Sequence, residues 1–551
     1  MRILILGGGF GGVYTAMALQ KAFRRRNDID IALIDQKNYF VFQPMLAEII
    51  SGSVDILHTV TPFRDLCPGI SLHVGEVARI DVDAKSVVVN AGMRSQPLAL
   101  SYDHVVLALG RAENFSLVRG LQEHGFHFKN LGDALVLRSR LISLLETADS
   151  EPDVETRRKL LTVVMAGGGF SGVEAIAAAN DFIRKVMHRY PRLDPSDLRM
   201  ILLQSGARIL PELPASLSLY AQRLLDRRQV ELRLRTRLAA VTADEAILND
   251  GKRIATKTVI ATVGAASNPV LTALPCEQEQ SRIRVDTHLE VPGYPGVWAL
   301  GDCAFIVDQK SGQTCPPTAQ YAVAEAKCLA ANIVAAIDGG KKQPFSFTAA
   351  GMMGSIGHHS AVGQVLGVKV SGLLAWVLWR GVYWNKLPGF RRRFHVALDW
   401  MLEFVFPKDL VQLDVAPSQD MSREHFEAGE IIFREGEVGD RVYVIIEGEV
   451  EVARQNVHGE ASVIARRTAG DCFGEMALIA SAPRSATVRA VTNMDALTLH
   501  RSAFDALFTH IPALRESFER LMRERSDTTD PEIELAPARE PDHPRDGRGA
   551  T

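Results

Sequence analysis

Cysteine is sparse, charge is nearly balanced and no apolar run is long. The six cysteines (Cys67, Cys276, Cys303, Cys315, Cys328 and Cys472) are scattered, with no Cys-x-x-Cys pair and no zinc-type spacing. That excludes a disulfide framework and a paired-thiol centre and reads as reduced intracellular thiols. A net charge of −3 lacks the basic excess of a nucleic-acid binder, so no nucleic acid is expected as a partner. No window offers about twenty consecutive apolar residues, so no membrane-spanning helix is expected. His358 and His359 sit near glycines without metal-ligand neighbours and are read as structural, and no metal site is expected. The opening apolar run is read as a strand rather than a secretory signal, because no small-residue cleavage site precedes its glycines. What is present is a chain of 551 residues, 47% hydrophobic and 23% charged. That composition is ordinary for a folded protein, and the length is too great for one core, so about three or four domains are expected.

The chain begins Met1-Arg2-Ile3-Leu4-Ile5-Leu6, runs into Gly7-Gly8-Gly9-Phe10-Gly11-Gly12, and continues with Val13, Ala16, Met17 and Leu19 at helical spacing. A strand, a glycine turn and a helix make the first unit of a dinucleotide-binding fold. Gly7, Gly9 and Gly12 keep the spacing in which one glycine turns the chain, one admits a pyrophosphate and one lets helix pack on strand. The phosphates then rest on the helix N-terminus. Asp35 closes the next apolar run, where an acid meets a ribose hydroxyl. The pattern recurs: Leu160 to Ala166 leads into Gly167-Gly168-Gly169-Phe170-Ser171-Gly172, with Ala175 to Ala179 following. Two such units imply two dinucleotides. Strands ending in glycine also recur, at His104 to Gly110 and at Thr258 to Gly264, so the duplication is of a whole module. Between the units, Ala134, Leu137, Leu141 and Leu145 mark a connecting helix. Gly296 to Ala304 delivers Gly301 and Asp302 to a loop before an alanine-rich helix from about Thr318 to Ile337.

The segment from Gly372 to Trp384 runs through Pro388 and Gly389 into Arg391-Arg392-Arg393, and Trp376, Trp379, Trp384 and Trp400 cluster there. Tryptophan and tyrosine beside cations suit a membrane interface, with the second helix amphipathic and lying on the membrane. Arg392, His395 or Val396, Asp399 and Glu403 follow one stripe of that helix, and Phe394, Ala397, Leu398, Met401, Leu402 and Val405 supply apolar area. A buried helix pair, or a contact between two copies of the chain as a homodimer, is the alternative use of the same side chains.

Two glycine units closed by a Gly-Asp loop resemble the two-dinucleotide flavoprotein fold. That resemblance implies FAD at Gly7, Gly9, Phe10, Gly11, Gly12, Asp35, Gly110, Gly301, Asp302 and Ala319. It implies NAD(P)H at Gly167, Gly169, Phe170, Ser171, Gly172, Gln204 and Gly264. With Pro44-Met45-Leu46, Ala319-Gln320 and the segment from Gly372 to Arg393, residues 1 to about 415 resemble the type II NADH:quinone oxidoreductases. That resemblance implies that a hydride from NADH passes through flavin to a membrane quinone without proton pumping, at the cytoplasmic face of the inner membrane. Glu174, after Gly172-Val173, would lie near nicotinamide and quinone and assist proton delivery; an acid at a helix start is equally favoured by the helix dipole. Gln204 stands where the family usually has a glutamate that repels the 2′-phosphate of NADPH, so NADPH remains an alternative donor. Gln320 is the candidate quinone contact, but Ala324 and Glu325 replace the family's paired glutamines.

A second resemblance covers about 416 to 520. Alternating strands turned at glycines suit a small β-roll. The run Phe473-Gly474-Glu475-Met476-Ala477-Leu478 followed by Pro483-Arg484-Ser485-Ala486-Thr487 is similar to the phosphate-binding cassette of cyclic nucleotide-binding domains. Arg484 would neutralise the cyclic phosphate and Glu475 accept the ribose 2′-hydroxyl, with Gly474, Ser485 and Ala486 as donors. The resemblance implies cAMP as a regulatory ligand, with cGMP or a site that has lost its ligand left open. Only about Pro417 to His425 is available for the helix that usually precedes the roll.

The expected fold is thus α/β with two Rossmann-like dinucleotide-binding modules, membrane-anchor helices and a β-roll. Its parts are 1–115 (FAD), 116–158 (connecting helix), 159–270 (NAD(P)H), 271–350 (second FAD part), 351–415 (membrane anchor), 416–525 (cyclic nucleotide) and 526–551 (disordered tail). A lid helix is expected across Phe504 to Leu521. The alternative function is a cyclic nucleotide receptor whose flavoprotein part senses redox state, and, among enzymes, a soluble ferredoxin-type reductase.

Overall fold

The computed structural model describes residues 1–90, 97–113, 117–262, 264–412, 421–437, 439, 441–455, 461–479 and 483–500. The expected lid helix and the tail from Ser526 lie outside the described residues. The chain divides into two compact units, Met1–Val415 and Ala416–Thr551.

In the first unit, the opening strand Arg2–Leu6 sits at the centre of a five-stranded sheet. Its parallel neighbours are Asp30–Asp35 on one side and His104–Leu107 on the other, with Ser71–Val74 and Val297–Ala299 at the edges. Ile3, Leu4, Ile5 and Leu6 have no exposed surface, as a strand covered on both faces requires. A second five-stranded parallel sheet, Gly125–His127, Thr258–Ala261, Thr162–Ala166, Arg199–Gln204 and Val230–Leu234, repeats this order in its last four strands. The two strands that end in glycine, His104–Leu107 and Thr258–Ala261, take equivalent places beside the two central strands.

Each central strand feeds a glycine turn and a helix, Phe10–Ala22 and Phe170–Val186. Gly7 and Gly167 have φ of 106° and 120°, outside the range of side-chain-bearing residues. The third glycine of each turn touches the first. A Cβ on Gly12 would lie 1.8 Å from the Gly7 carbonyl oxygen, and one on Gly172 would lie 1.9 Å from that of Gly167. The connecting helix, Leu131–Ser150, starts in a capping box between Asn130 and Asp133 and buries Ala134, Leu137, Leu141 and Leu145. The alanine-rich helix, Ala319–Asp338, ends at Gly339 in the left-handed conformation.

In the helix pair Gly372–Lys386 and Phe390–Leu402, Trp384, Phe390 and Phe394 are exposed but the other tryptophans turn inward. Trp376 and Trp379 are buried at 7% and 1% exposure, and the Trp400 indole donates to Glu48 Oε2 at 2.7 Å. The side chains turned outward are Leu373, Leu374, Val377, Phe390, Phe394 and Met401, continued by Phe404, Val405 and Phe406. The polar stripe is present but faces the protein, because Asp399 pairs with His58 and Glu403 with Arg380 and Lys408. Among the described residues no helix is long and apolar enough to cross a membrane.

The second unit contains two four-stranded antiparallel sheets around Phe426, Phe433, Tyr443, Val450, Phe473 and Val488. Met421–Phe426 is a strand paired with Met494–His500, so the end of the segment expected as a short helix is extended.

Candidate active site

The first glycine turn opens on a cavity of about 580 Å³. Gly7, Gly9, Phe10, Gly11, Asp35, Gly110, Gly301, Asp302 and Ala319 all line it, while Gly12 packs behind the turn. The Asp35 carboxylate accepts from the Gly8 amide at 2.6 Å and from the Lys37 amide at 2.8 Å, which fixes it at the end of its strand. Space beside Gly9 is open, with no atom within 4 Å of where a Cβ would stand. Backbone amides at a helix N-terminus, an acid at the neighbouring strand end and the cavity they line fit an FAD molecule. Gly7 to Gly11 would hold its pyrophosphate, Asp35 a ribose, and Gly301 and Asp302 the flavin side.

The Gly301-Asp302 loop has a support not apparent in sequence. The Gly301 amide donates to Glu325 Oε2 at 2.8 Å, and Glu325 is 2% exposed. Burial, with Asp302 close by, pushes the Glu325 carboxyl up to about 7. Glu325 therefore does not stand in for a glutamine aimed at an acceptor; it holds the loop beside the cavity. Burial also raises Asp302, with Lys129 and Arg111 acting against it.

The second turn repeats the first in detail. Gln204 Oε1 accepts from the Gly168 amide at 3.2 Å, where Asp35 accepts from Gly8, and Gln204 Nε2 donates to the Arg208 carbonyl at 3.1 Å. Gly169 begins the helix Phe170–Val186, Ser171 is exposed in its first turn, and Phe170 packs against Gly354. Gly264 has φ of 88° after the strand Thr258–Ala261. Glu174 and Gln320 meet the same strand, Gly351–Ser355, from different helices. Glu174 Oε1 accepts from the Ser355 amide at 2.9 Å, and Gln320 Nε2 donates to the Gly351 carbonyl at 2.7 Å.

Burial pushes the Glu174 carboxyl up to about 8, only partly offset by the Ser355 amide. The unfolded chain ionises this group near 4.5 and the folded chain near 8, so the folded state binds the extra proton between those values and loses stability as pH rises through them. Glu174→Gln is expected to remove that loss: thermal melts at several pH values should show the variant gaining on the wild type from about pH 4.5 to 8. Equal pH slopes for the two proteins would contradict the assignment.

A buried ion network, missed in the sequence, holds the outward-facing helix pair. Arg380 Nη2 contacts Glu48 Oε1 at 3.2 Å and Glu403 Oε2 at 3.0 Å, and its guanidinium lies 4.1 Å from the Trp376 ring centre and 4.6 Å from that of Trp400. Lys408 Nζ donates to Glu403 Oε1 at 2.7 Å and to Ser53 Oγ at 3.0 Å. Burial alone would raise Glu403, but the Lys408 charge and hydrogen bond, Ser53 and Arg380 outweigh it and hold the carboxyl down to about 2. The only sequence signal was a lone cation inside the apolar run from Leu373 to Trp384 and a lone acid inside Met45 to Ile50.

In the second unit, Gly474 turns the chain at φ 83° into the short helix Glu475–Ile479. Arg484, 4% exposed, donates to the Gly474 carbonyl at 2.7 Å and to the Arg441 carbonyl at 2.9 Å and lies 4.1 Å above the Phe433 ring. Glu475 is 2% exposed, Ser485 is exposed and Ala486 is buried. The cassette's glycine and arginine are thus joined by one carbonyl, and the acid follows the glycine in the chain.

Two parallel sheets that share the order of four strands, each with a glycine turn and a polar strand end, define a two-dinucleotide oxidoreductase. Residues 1–326 match the pyridine nucleotide-disulphide oxidoreductase family, residues 350–409 the NDH2 C-terminal domain, and residues 423–510 the cyclic nucleotide-binding domain. The chain is 32% identical over 408 residues to a demethylphylloquinone reductase of Synechocystis, covering 73% of this chain and 95% of that protein. It is 28% identical over 445 residues to a type II NADH:quinone oxidoreductase of Mycobacterium tuberculosis, covering 77% and 92%. Its fold matches the solved structure of NDH2 from Plasmodium falciparum with a TM-score of 0.68 at 20% identity, over 74% of this chain and 99% of that one. The chain belongs to the pyridine nucleotide-disulphide oxidoreductase family, in its type II NADH:quinone oxidoreductase branch, and carries a cyclic nucleotide-binding domain at its C-terminal end.

Proposed function

We propose that the protein oxidises NADH, and to a degree set by Gln204 also NADPH, and reduces a membrane quinone without pumping protons. FAD in the cavity at Gly7 to Gly12 supplies the hydride acceptance and two-electron donation. The chain's own groups position and protect. The Gly167 to Gly172 turn holds the pyrophosphate of the nicotinamide dinucleotide on the helix N-terminus. Gln204 offers its amide to the adenosine ribose and carries no charge to repel a 2′-phosphate. Glu174, protonated at neutral pH, holds a proton next to the strand that Gln320 also contacts.

The observation that carries the acceptor assignment is the helix pair with apolar side chains outward and charges inward. Exposed Leu374, Phe390 and Phe394 suit insertion among acyl chains, which would place the protein peripherally on a quinone-bearing membrane, the cytoplasmic face of the inner membrane in a bacterial cell. A second copy of the chain is the competing occupant of that face. Flotation with phospholipid vesicles supports the membrane reading, and a stable dimer that does not float removes it. Relatives named as quinone reductases point the same way.

The C-terminal cassette is assigned to cAMP, with Arg484 facing the cyclic phosphate and Glu475 the ribose. It acts on turnover by binding two states of the enzyme unequally. The test is steady-state oxidation of NADH and NADPH with a soluble quinone while cAMP is titrated in. Sustained turnover supports the enzyme, and a cAMP-dependent change in rate or quinone affinity supports the regulation. Tight cAMP binding with no such change would remove the regulatory part alone.

Gln204→Glu is expected to cut kcat/KM for NADPH relative to NADH roughly ten- to hundredfold, because a carboxylate within a few ångströms of a phosphate repels it by one to a few kcal/mol. Unchanged donor preference would mean that Gln204 does not face the ribose.

A further inference from the structure

The carboxyl of Glu325 has no part in the steps above, and its surroundings give it one. On the helix Ala319–Asp338, Ala319, Ala322 and Glu325 follow at intervals of three and share a face. Ala319 and Ala322 line the cavity fitted to FAD. Glu325 lines instead a much smaller space, of about 10 Å³, behind that wall. Gly301, Asp302, Thr318 and Ala322 line both, so one layer of residues separates the carboxyl from the flavin cavity.

The layer is held from the Glu325 side. The Gly301 amide, in backbone turned at φ 71°, donates to Glu325 Oε2 at 2.8 Å, and Asp302 follows it in the chain. A glutamine would accept from the same amide without bringing a charge. The space beside Glu325 holds one water at most, too little to hydrate a carboxylate. Arg282 lines that space, but its guanidinium donates to Gln280 at 2.9 Å and lies 5.1 Å from the Phe305 ring centre. A charge on Glu325 is therefore poorly screened and acts across a thin wall.

We propose that Glu325 is a positioning residue of the flavin site: it fixes the Gly301-Asp302 loop through the Gly301 amide and, when ionised, makes the bound flavin harder to reduce. In NADH + FAD → NAD⁺ + FADH⁻ the flavin gains a negative charge, which a carboxylate nearby disfavours. Both roles rest on FAD occupying the first cavity, as proposed above.

The charge is present only on the alkaline side of neutrality. Burial pushes the Glu325 carboxyl up to about 7, with Asp302 adding to the shift and the Gly301 amide and Arg282 opposing it. Lys129 and Arg111 act in turn on Asp302. Cys315 from the preceding loop, and Tyr321 and Cys328 from the same helix, also bear on the carboxyl; burial raises all three, so they stay neutral there. Below about 7 the protonated carboxyl is equivalent to a glutamine, and above it the carboxylate acts.

The test measures the flavin midpoint potential of the FAD-loaded protein from about pH 6 to about pH 8, in wild type and in Glu325→Gln. The variant keeps an acceptor for the Gly301 amide and loses only the charge. Its potential is expected to match the wild type at the acid end and to lie above it at the alkaline end, with the wild-type curve bending near 7. Glu325→Leu removes the acceptor and should weaken FAD binding roughly tenfold, read as flavin released on dilution. Superimposed potential curves, the result for a merely structural Glu325, would overturn the charge effect, and wild-type FAD retention in Glu325→Leu would overturn the positioning. Unaltered protein that binds no flavin would instead refute the FAD reading on which both rest.

Discussion

Gly12→Ala will leave the protein without flavin. The added methyl would stand 1.8 Å from the Gly7 carbonyl oxygen, well inside contact distance, and that obstacle is backbone. Helix and turn must separate, and the amides that face the pyrophosphate move with the turn. Purified Gly12→Ala should lack the flavin absorbance that the wild type carries, with NADH oxidation at background. The matching Gly172→Ala change meets the Gly167 carbonyl at 1.9 Å. It should spare flavin content and remove reduction by NADH, so the pair of variants separates the two turns. Full flavin in Gly12→Ala would refute the assignment of the first turn.

The second large effect is expected in the ion network. The helix pair is held partly by buried Trp376, Trp379, Leu387 and Val396 and partly by the buried charges, while much of its other apolar surface faces outward. Lys408→Met leaves Glu403, 2% exposed at its side chain, with one cation fewer, and should destabilise the first unit by about 3–5 kcal/mol. Replacing both partners, Glu403→Met with Lys408→Met, should cost less than the single change, because no charge is then stranded apart from Arg380, which keeps Glu48. Denaturant unfolding followed by flavin fluorescence reads both. The sign with pH follows from the depressed Glu403 carboxyl: its contribution is present above about 4.5 and is lost as pH falls toward about 2. Lys408→Met should flatten that acid limb.

Both glycine turns, the connecting helix and the β-roll were legible because each is written in a few adjacent residues. Gly7 to Gly12 and Gly167 to Gly172 state their own geometry through spacing, and Asp35 and Gln204 follow at strand ends that the apolar runs mark. Long-range partners left no such mark. Glu48 and Arg380 are 332 positions apart, and neither position says that the other exists. The same gap explains the inward tryptophans and paired acids of the helix pair. The acids of the stripe give no sign in sequence that His58 pairs with Asp399, or Lys408 and Arg380 with Glu403, and Trp376 and Trp400 turn inward onto a buried guanidinium. Glu325 shows the limit of reading by analogy. It occupies a glutamine's position in a motif yet spends its oxygen on the Gly301 amide.

The central claim is that electrons entering from a nicotinamide leave to a quinone. The most direct test is anaerobic: reduce the FAD-loaded protein with one equivalent of NADH, mix it with a soluble quinone, and follow flavin absorbance. Reoxidation at least as fast as steady turnover, with one quinol formed per NADH consumed, is the predicted result. A flavin that NADH reduces promptly and quinone leaves reduced would contradict it and favour a redox-sensing cyclic nucleotide receptor.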